Sequence, residues 1–442
     1  MSEDLRQISS LSVRDALTIA IRLHQQGHLE EAEQFYRSIL NVVPEQPDAL
    51  HFLGVLNHQL GRGEEGLRLI RQALALQPTH ADTHNNLGNI LKEQGRQEEA
   101  QAAYRKAIEL APGHVEALNN LGVLLKNKGE LEEALGCFGA ALEKAPSHPG
   151  AQRNLVATLT RLGRLDEAVE AARRAVDLAP DQSDAFRNLS DVLRRAGRLD
   201  DAVQVVRQWL SMAPDHPIAR HQLAAYLGED VPDRASDEYI TMTFDEFATT
   251  FDEVLDGLDY RAPALIIAGM SAGMKDSDGR LDVLDAGCGT GLCGPLLRRF
   301  ARRLVGVDLS PGMIAKARQR GCYDQLITAE LTSFLQDSGE SFDLIASADT
   351  LVYIGDLAAL FAAVHDRLRP EGELIFTVEH AADLEGGAGF RLEPTGRYSH
   401  SRAYLERTLR NAGLTPRSIS EESLRKQLGR PVAGLLVAAG RR

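Results

Sequence analysis

Two aspartates frame the run of residues with the clearest chemical potential in this chain. Val283-Leu-Asp-Ala-Gly-Cys-Gly-Thr-Gly291 carries an acid, Asp285, and then glycines at alternate positions, Gly287, Gly289 and Gly291. Glycines so spaced let a backbone turn sharply and approach a ligand closely. A second acid, Asp308, ends Leu304-Val-Gly-Val-Asp308 about twenty residues on, where a carboxylate can accept from both hydroxyls of a ribose held over the glycine loop. Gly289, Gly291 and Gly294 also satisfy the G-x-G-x-x-G spacing of dinucleotide sites. Charge separates the two ligands. A pyrophosphate would meet Asp285 as a like charge, whereas S-adenosylmethionine (SAM) presents an ammonium and a sulfonium that Asp285 attracts. The glycine register differs too, because the first glycine after the apolar run is Gly287. No Gly-Lys-Ser/Thr closes the run, which excludes a nucleoside-triphosphate loop.

These groups need elements to carry them. From Leu281 onward, apolar runs alternate with helical patterns, which implies a parallel sheet. The pattern predicts strands near 281–285, 303–308, 325–328, 343–347 and 373–379, with a later pair near 415–420 and 432–439. Helices are predicted over 290–302, 311–320, 356–368 and 401–412. Ligands of open parallel sheets sit at the carboxyl ends of the strands. Asp349, Tyr353, His380, Tyr398 and His400 fall on such loops. His400 is a candidate base for an acceptor hydroxyl, and Tyr353 a second candidate catalytic residue. Arg397 is placed to hold an acceptor carboxylate, or equally a surface acid. Upstream, Phe244, Phe247 and Phe251 share one face of a helical segment over 239–258, preceded by a polar stretch, 228–237, that reads as a linker.

The first half of the chain is periodic. Prolines recur at 44, 78, 112, 146, 180 and 214, each 34 residues after the last, and glycines at 27, 61, 95, 129, 163 and 197. Each glycine suits the left-handed end of one helix, and each proline stops the next. Small residues follow the glycines at fixed offset, Ala32, Gly66, Ala100, Ala134, Ala168 and Ala202, so that paired helices can pack closely. This pattern resembles the tetratricopeptide repeat (TPR) in six units, with Pro217–Leu227 as a capping helix. In that family the first helix of each unit lines a concave groove. Asn86, Asn120, Asn154 and Asn188 share one position there, resembling the asparagine ladder with which some TPR arrays hold an extended peptide, although asparagine is common at this position. Lys92, Lys126 and Arg194 share another position, and Arg153 and Arg187 a third. Together they suit an acidic or carboxylate-bearing partner, or simply form a solvated face.

The second half resembles class I SAM-dependent methyltransferases over residues 239–442. Asp285–Gly291 is similar to motif I of that family, Val307-Asp-Leu-Ser-Pro-Gly-Met313 to the ribose-binding motif, Phe342–Leu351 to motif IV, and Leu368-Arg-Pro-Glu-Gly372 to the turn before strand five. The resemblance implies SAM contacts from Asp285, Ala286, Gly287, Gly289, Gly291, Asp308, Leu309, Met313, Glu330, Leu331, Ala348 and Arg261. Glu330 stands where the family usually has an aspartate meeting the adenine amine. Residues 239–263 resemble the helix that closes over SAM. The motif IV segment lacks the Asn/Asp-Pro-Pro-Tyr/Phe signature, which disfavours planar amide or exocyclic nitrogens as acceptors. Together the two halves resemble bacterial TPR-containing class I methyltransferases, with an array over 10–228, a linker and closing helix over 229–262, and a methyltransferase domain over 263–442.

Composition sets limits on partners. Among 442 residues, 49 Lys and Arg against 63 Asp and Glu give a formal charge of −14, which argues against a dedicated nucleic-acid binder. No run is long and apolar enough to span a bilayer, the N-terminus lacks a signal-peptide pattern, and four cysteines without zinc spacing suit a reduced cytoplasmic protein with no metal site. Oligomeric state is not legible. The expected activity is SAM-dependent methyl transfer, with the array recruiting a protein or peptide partner that is the substrate in one reading. The alternatives are a small-molecule O- or N-methyltransferase that uses the array for localisation or assembly, and a non-catalytic scaffold.

Overall fold

Helices as short as those of Val13–Gln25 and Leu29–Val42 are marginal alone in water, so each helical unit must bury its apolar stripe on its neighbour. The computed structural model describes residues 12–382, 384, 388–427 and 430–441. The array's expected start at residue 10 and the domain's end at residue 442 lie outside them. Contacts divide the chain into two compact units, one ending at Ala196 and one beginning at Gly197.

The first unit is built of paired helices: α1 (Val13–Gln25) with α2 (Leu29–Val42), α3 (Pro47–Gln59) with α4 (Gly63–Leu76), α5 (Ala81–Glu93) with α6 (Gln97–Leu110), α7 (Val115–Lys128) with α8 (Leu131–Lys144), and α9 (Pro149–Arg161) with α10 (Leu165–Leu178), followed by α11 (Ser183–Arg195). The glycine turns within the pairs are left-handed, with φ between 74° at Gly95 and Gly163 and 86° at Gly129. Histidine imidazoles cap three of the first helices. Nδ1 of His80, His114 and His148 accepts from the amides of Thr83, Ala117 and Ala151 at 3.3, 3.2 and 3.0 Å. Small residues inside the helices make room for large ones sixteen positions on. A Cβ on Gly54 would lie 2.8 Å from Ile70, one on Gly88 2.4 Å from Tyr104, and one on Gly122 2.5 Å from Phe138. The fifth unit inverts the sizes, with buried Val156 and Ala172 at those positions.

The second unit begins with α12 (Leu199–Met212) and α13 (Pro217–Leu227), then α14 (Asp237–Phe247), α15 (Phe251–Asp256), α16 (Ala262–Gly269) and α17 (Ala272–Lys275). A mixed sheet follows: β1 (Leu281–Ala286), α18 (Gly294–Arg298), β2 (Ala301–Asp308), α19 (Pro311–Gln319), β3 (Gln325–Thr328), α20 (Leu331–Asp337), β4 (Phe342–Ser347), α21 (Ala358–Arg367), β5 (Leu368–His380), β6 (Phe390–Leu392), β7 (Tyr398–His400), α22 (Arg402–Asn411), β8 (Leu414–Gln427) and β9 (Arg430–Arg441). Strands run parallel in the order β3-β2-β1-β4-β5. β9 pairs antiparallel with β5, and β8 with β9. The order reverses between β1 and β4, so their carboxyl ends open a crevice. Alternate residues face opposite ways: Leu284, Val305 and Phe376 join one buried cluster, and Val283, Leu304 and Ile375 the other.

Two departures from expectation bear on the site. The helix expected over 290–302 shrinks to α18, because the amides of Gly287 and Cys288 bond the Val307 carbonyl at 2.8 and 2.9 Å and hold this stretch as a loop. α20 and the β6–β7 hairpin were not anticipated, being too short to show a period.

Gly122→Val should destabilise the array by about 1–3 kcal/mol through overpacking against Phe138. Adding Phe138→Ala should recover part of that loss. Urea unfolding followed by circular dichroism checks both, and an unaltered midpoint for the single variant would refute the size match.

Candidate functional site

A cleft opens at the reversal between β1 and β4. At one end lie Gly287, Cys288, Gly289, Asp308, Leu309, Met313, Glu330, Leu331 and Ala348; at the other, Arg234, Ala235, Tyr260, Asp349, Thr350, Tyr353, Ile354 and Arg397. Ile240, Phe244, Phe251 and Leu255 line it from α14 and α15.

The first end is built by backbone. Gly287, Gly289 and Gly291 all take positive φ, at 75°, 53° and 84°. A Cβ on Gly287 would lie 2.2 Å from Thr350, whereas one on Gly289 would meet open space. The Gly289 amide donates to Asp308 Oδ2 and the Ser310 amide to Oδ1, both at 2.9 Å, so the carboxylate is held in place beside the glycine loop. Burial nevertheless pushes its pKa above the ordinary value. α14 and α15 are fastened over this end: Asp245 accepts from the Gly312 amide at 2.9 Å, and Asp252 from Thr290 Oγ1 and, at 2.5 Å, Arg320 Nη2.

Several expected site residues stand elsewhere. Asp285 is buried behind the loop, where Tyr323 donates to it at 2.6 Å, and burial pushes its carboxyl up to about 7. It therefore does not face the cleft as an exposed acid. Ala286 is buried and Gly291 packs toward Tyr323 and Arg320; neither lines the cleft. Arg261 is exposed, and its neighbours Tyr260 and Pro263 line the wall instead. Glu330 lines the cleft, but its carboxylate caps α20, accepting from Thr332 and Ser333 amides at 3.0 and 2.8 Å. His400 is a correction. It is fully buried, it does not line the cleft, and its Nε2 bonds the carbonyls of Ile354 and Gly355 at 3.0 and 3.1 Å. Burial pushes its pKa down to about 4, so it is a neutral donor to backbone rather than a base for an acceptor.

The second end draws on distant segments. Asp349, in a left-handed conformation at φ 57°, accepts from Arg397 Nη1 at 3.0 Å and from Arg425 Nη1 at 3.1 Å on the same oxygen. Arg397 Nη1 and Arg425 Nη2 also reach Glu379 Oε1. Neither Glu379 nor Arg425 carries a local sequence signal, since only strand pairing between β5, β9 and β8 assembles them. Residues 232–235, expected as a linker, form part of the wall. The Asp233 carbonyl accepts from the Gly355 and Asp356 amides at 2.7 and 2.9 Å, Ala235 N donates to the Tyr353 carbonyl at 2.9 Å, and Tyr398 Oη donates to the Pro232 carbonyl at 2.6 Å. From α13, His221 donates through Nε2 to the Gly396 carbonyl at 2.9 Å and stacks on Tyr239 at 3.9 Å.

In the first unit, the expected ladder is engaged within the array. Asn120 Nδ2 donates to Asn85 and Asn89 at 3.0 and 3.1 Å, and Asn154 Nδ2 to Asn119 at 3.1 Å. Asn86 bonds His51 Nε2 at 2.7 Å, while Asn188 lines a small cavity with Arg153. Lys126 donates to Asn154 Oδ1 at 2.8 Å, and burial lowers its pKa with help from Arg153 and Arg161. Lys92 is half-buried. Among the described residues no helix is long and apolar enough to cross a membrane.

Comparison with known proteins finds a methyltransferase-domain model matching residues 284–376 and tetratricopeptide-repeat models matching 45–112, 85–149, 121–183 and 158–217. The chain is 32% identical over 114 residues to a malonyl-[acyl-carrier protein] O-methyltransferase from Serratia marcescens, covering 26% of this chain and 44% of that protein. It is 29% identical over 148 residues to a ubiquinone biosynthesis O-methyltransferase from Chelativorans, covering 30% and 58%. The match spans less than half the length of the first curated relatives. Among solved structures, Pseudomonas aeruginosa pilF aligns with a TM-score of 0.41 at 20% identity, over 48% of this chain and 96% of that one.

His221→Ala removes a buried donor and a ring stack. It should cost about 1–2 kcal/mol and speed hydrogen exchange at the Gly355 and Asp356 amides. Unchanged exchange would show that the wall stands without α13. Asp285 sets a pH dependence: the folded chain keeps a proton up to about 7 that the unfolded chain releases near 3.8. Its contribution to stability is therefore fully present below 3.8 and lost as pH rises through about 7. Asp285→Asn should flatten the stability profile across that window, measured by denaturant titration at several pH values.

Proposed function

We propose, for a chain that carries tetratricopeptide repeats followed by a methyltransferase domain, that the cleft binds SAM and catalyses methyl transfer to a small acceptor. In this reading the repeats recruit a protein or peptide partner. The observation that carries it is Asp308, fixed by the amides of Gly289 and Ser310 where a ribose would lie over the glycine loop.

The residues present fit the cofactor. The open space beside Gly289 accommodates its methionine portion, and Leu309, Met313 and Leu331 offer apolar faces to an adenine. Bound there, SAM would supply an electrophilic methyl to an acceptor lone pair, with its sulfur as the leaving group. The chain's part is alignment and exclusion of water. α14 and α15 wall the cleft with Ile240, Phe244, Phe251 and Leu255, while Tyr353 and Asp349 hold the acceptor end.

The walls contributed by α14, α15 and the strand-end loops favour a small acceptor, or a slender side chain, over a folded protein surface. The relatives named for malonyl-[acyl-carrier protein] and for ubiquinone biosynthesis support the same reading. Recruitment by the repeats rests on Lys126 with Arg153 and Arg161, a cationic cluster in an acidic chain that suits an acidic segment.

Calorimetry should give micromolar binding of SAM and of its demethylated product. Asp308→Ala should weaken both by about 2 kcal/mol, roughly thirtyfold. Parent-like affinity in that variant would displace the ribose from Asp308, and no binding at millimolar concentration would sink the enzymatic reading. Labelled SAM added to native lysate, with products sorted by size, should put label in small metabolites.

A further inference from the structure

The acceptor end presents hydrogen-bond donors without matching acceptors. Arg397 lines the cleft, yet only its Nη1 is engaged, by Asp349 and Glu379. Its Nε and Nη2 have no hydrogen-bond partner among the described residues. Both acids are also reached by Arg425, whose side chain is only 6% exposed and stands behind the wall. The two guanidinium groups and two carboxylates balance in charge, so the free edge of Arg397 is not needed to neutralise either acid. Asp349, by contrast, already accepts on both oxygens.

Two phenols share this corner. Tyr353 lies under Arg397, whose Cζ stands 5.5 Å from the ring centroid, and Tyr260 lines the same end. Neither hydroxyl has a hydrogen-bond partner among the described residues. Burial raises the pKa of each, so both remain O–H donors across the physiological range. Phe244 meets Tyr353 edge-on at 5.3 Å, and Ile240 and Leu255 extend the apolar wall.

We infer that Arg397, Tyr260 and Tyr353 form a carboxylate-binding corner, and that the acceptor is an apolar-bodied small molecule bearing a carboxylate. A planar guanidinium edge flanked by hydroxyl donors matches the two oxygens of a carboxylate. The quartet's balanced charge admits one added negative charge more readily than the two of a phosphate. The buried ion cluster and the left-handed Asp349 hold the Arg397 fork in position, a cost that apolar packing alone would not carry. This inference rests on the methyltransferase reading for its meaning, but the corner is testable without it.

The test uses the full chain, with and without the demethylated cofactor product, and two probes of equal size, benzoate and benzamide. Calorimetry should show benzoate binding at least tenfold more tightly than benzamide. Arg397→Gln should remove that preference, Arg397→Lys should keep only part of it, and Tyr353→Phe should weaken benzoate severalfold. All of these should leave affinity for the cofactor product unchanged. Equal binding of the two probes, or parent-like benzoate binding by Arg397→Lys and Tyr353→Phe, overturns the corner. A parallel loss of cofactor-product affinity in Arg397→Lys also overturns it, since Arg397 would then hold the cofactor's own carboxylate. Should the cofactor product fail to bind while benzoate is still preferred, the corner stands and the methyltransferase reading falls.

Discussion

Gly287 and Thr350 occupy a space that has room for only one side chain. The loops after β1 and β4 meet there, with Thr350 Oγ1 donating to the Gly287 carbonyl at 3.1 Å, and any Cβ on Gly287 would collide with the threonine. That close approach closes the floor of the cleft at the point where strand order reverses. Everything above it is referenced to this contact. On one side the glycine loop is brought within reach of Asp308; on the other, the same β4 loop delivers Ala348, Asp349 and Tyr353. A shift of either loop would move both ends of the cleft together.

The two ends differ in how their residues come together, and this decides what could be read in the sequence. Gly287, Gly289, Asp308 and the strands that carry them lie within a few dozen residues, and their spacing alone reveals the loop and the acid beside it. The positions of β1 through β5 followed from apolar runs alternating with helical patterns. The other end draws on 232–235, 260, 349–354, 397 and 425, which no local pattern connects. Single residues misled for the same reason. His400 and Asp285 have chemically suggestive side chains at strand ends, but which way each points depends on neighbours such as Ile354 and Tyr323 that lie far off in the chain. Tyr260 was missed because its segment is set against β8 by the bond from the Arg261 amide to the Leu424 carbonyl, and Arg425 because strand pairing alone brings it behind the wall.

In the repeats, periodicity was legible and partnership was not. The recurring glycines and prolines placed the helices closely, and small-to-large exchange between Gly122 and Phe138 explains why some units carry glycine where others carry valine. The asparagines, however, bond across successive units, Asn85 to Asn120 and Asn119 to Asn154. A shared position in a repeat can serve the repeat itself before it serves a ligand.

The backbone bonds from Asp233 and Ala235 to the loop over 353–356 carry an evolutionary consequence. A repeat array is usually exchanged among proteins as a self-contained cassette, with seams in unstructured connectors. Here the apparent seam forms part of the cleft wall, and α13 is pinned to the hairpin that carries Arg397. Recombination at that seam would remove masonry from the chamber along with the array. The capping helix is therefore tied to the cleft, and variation in it is expected to track variation in what the cleft holds rather than in the repeats that precede it.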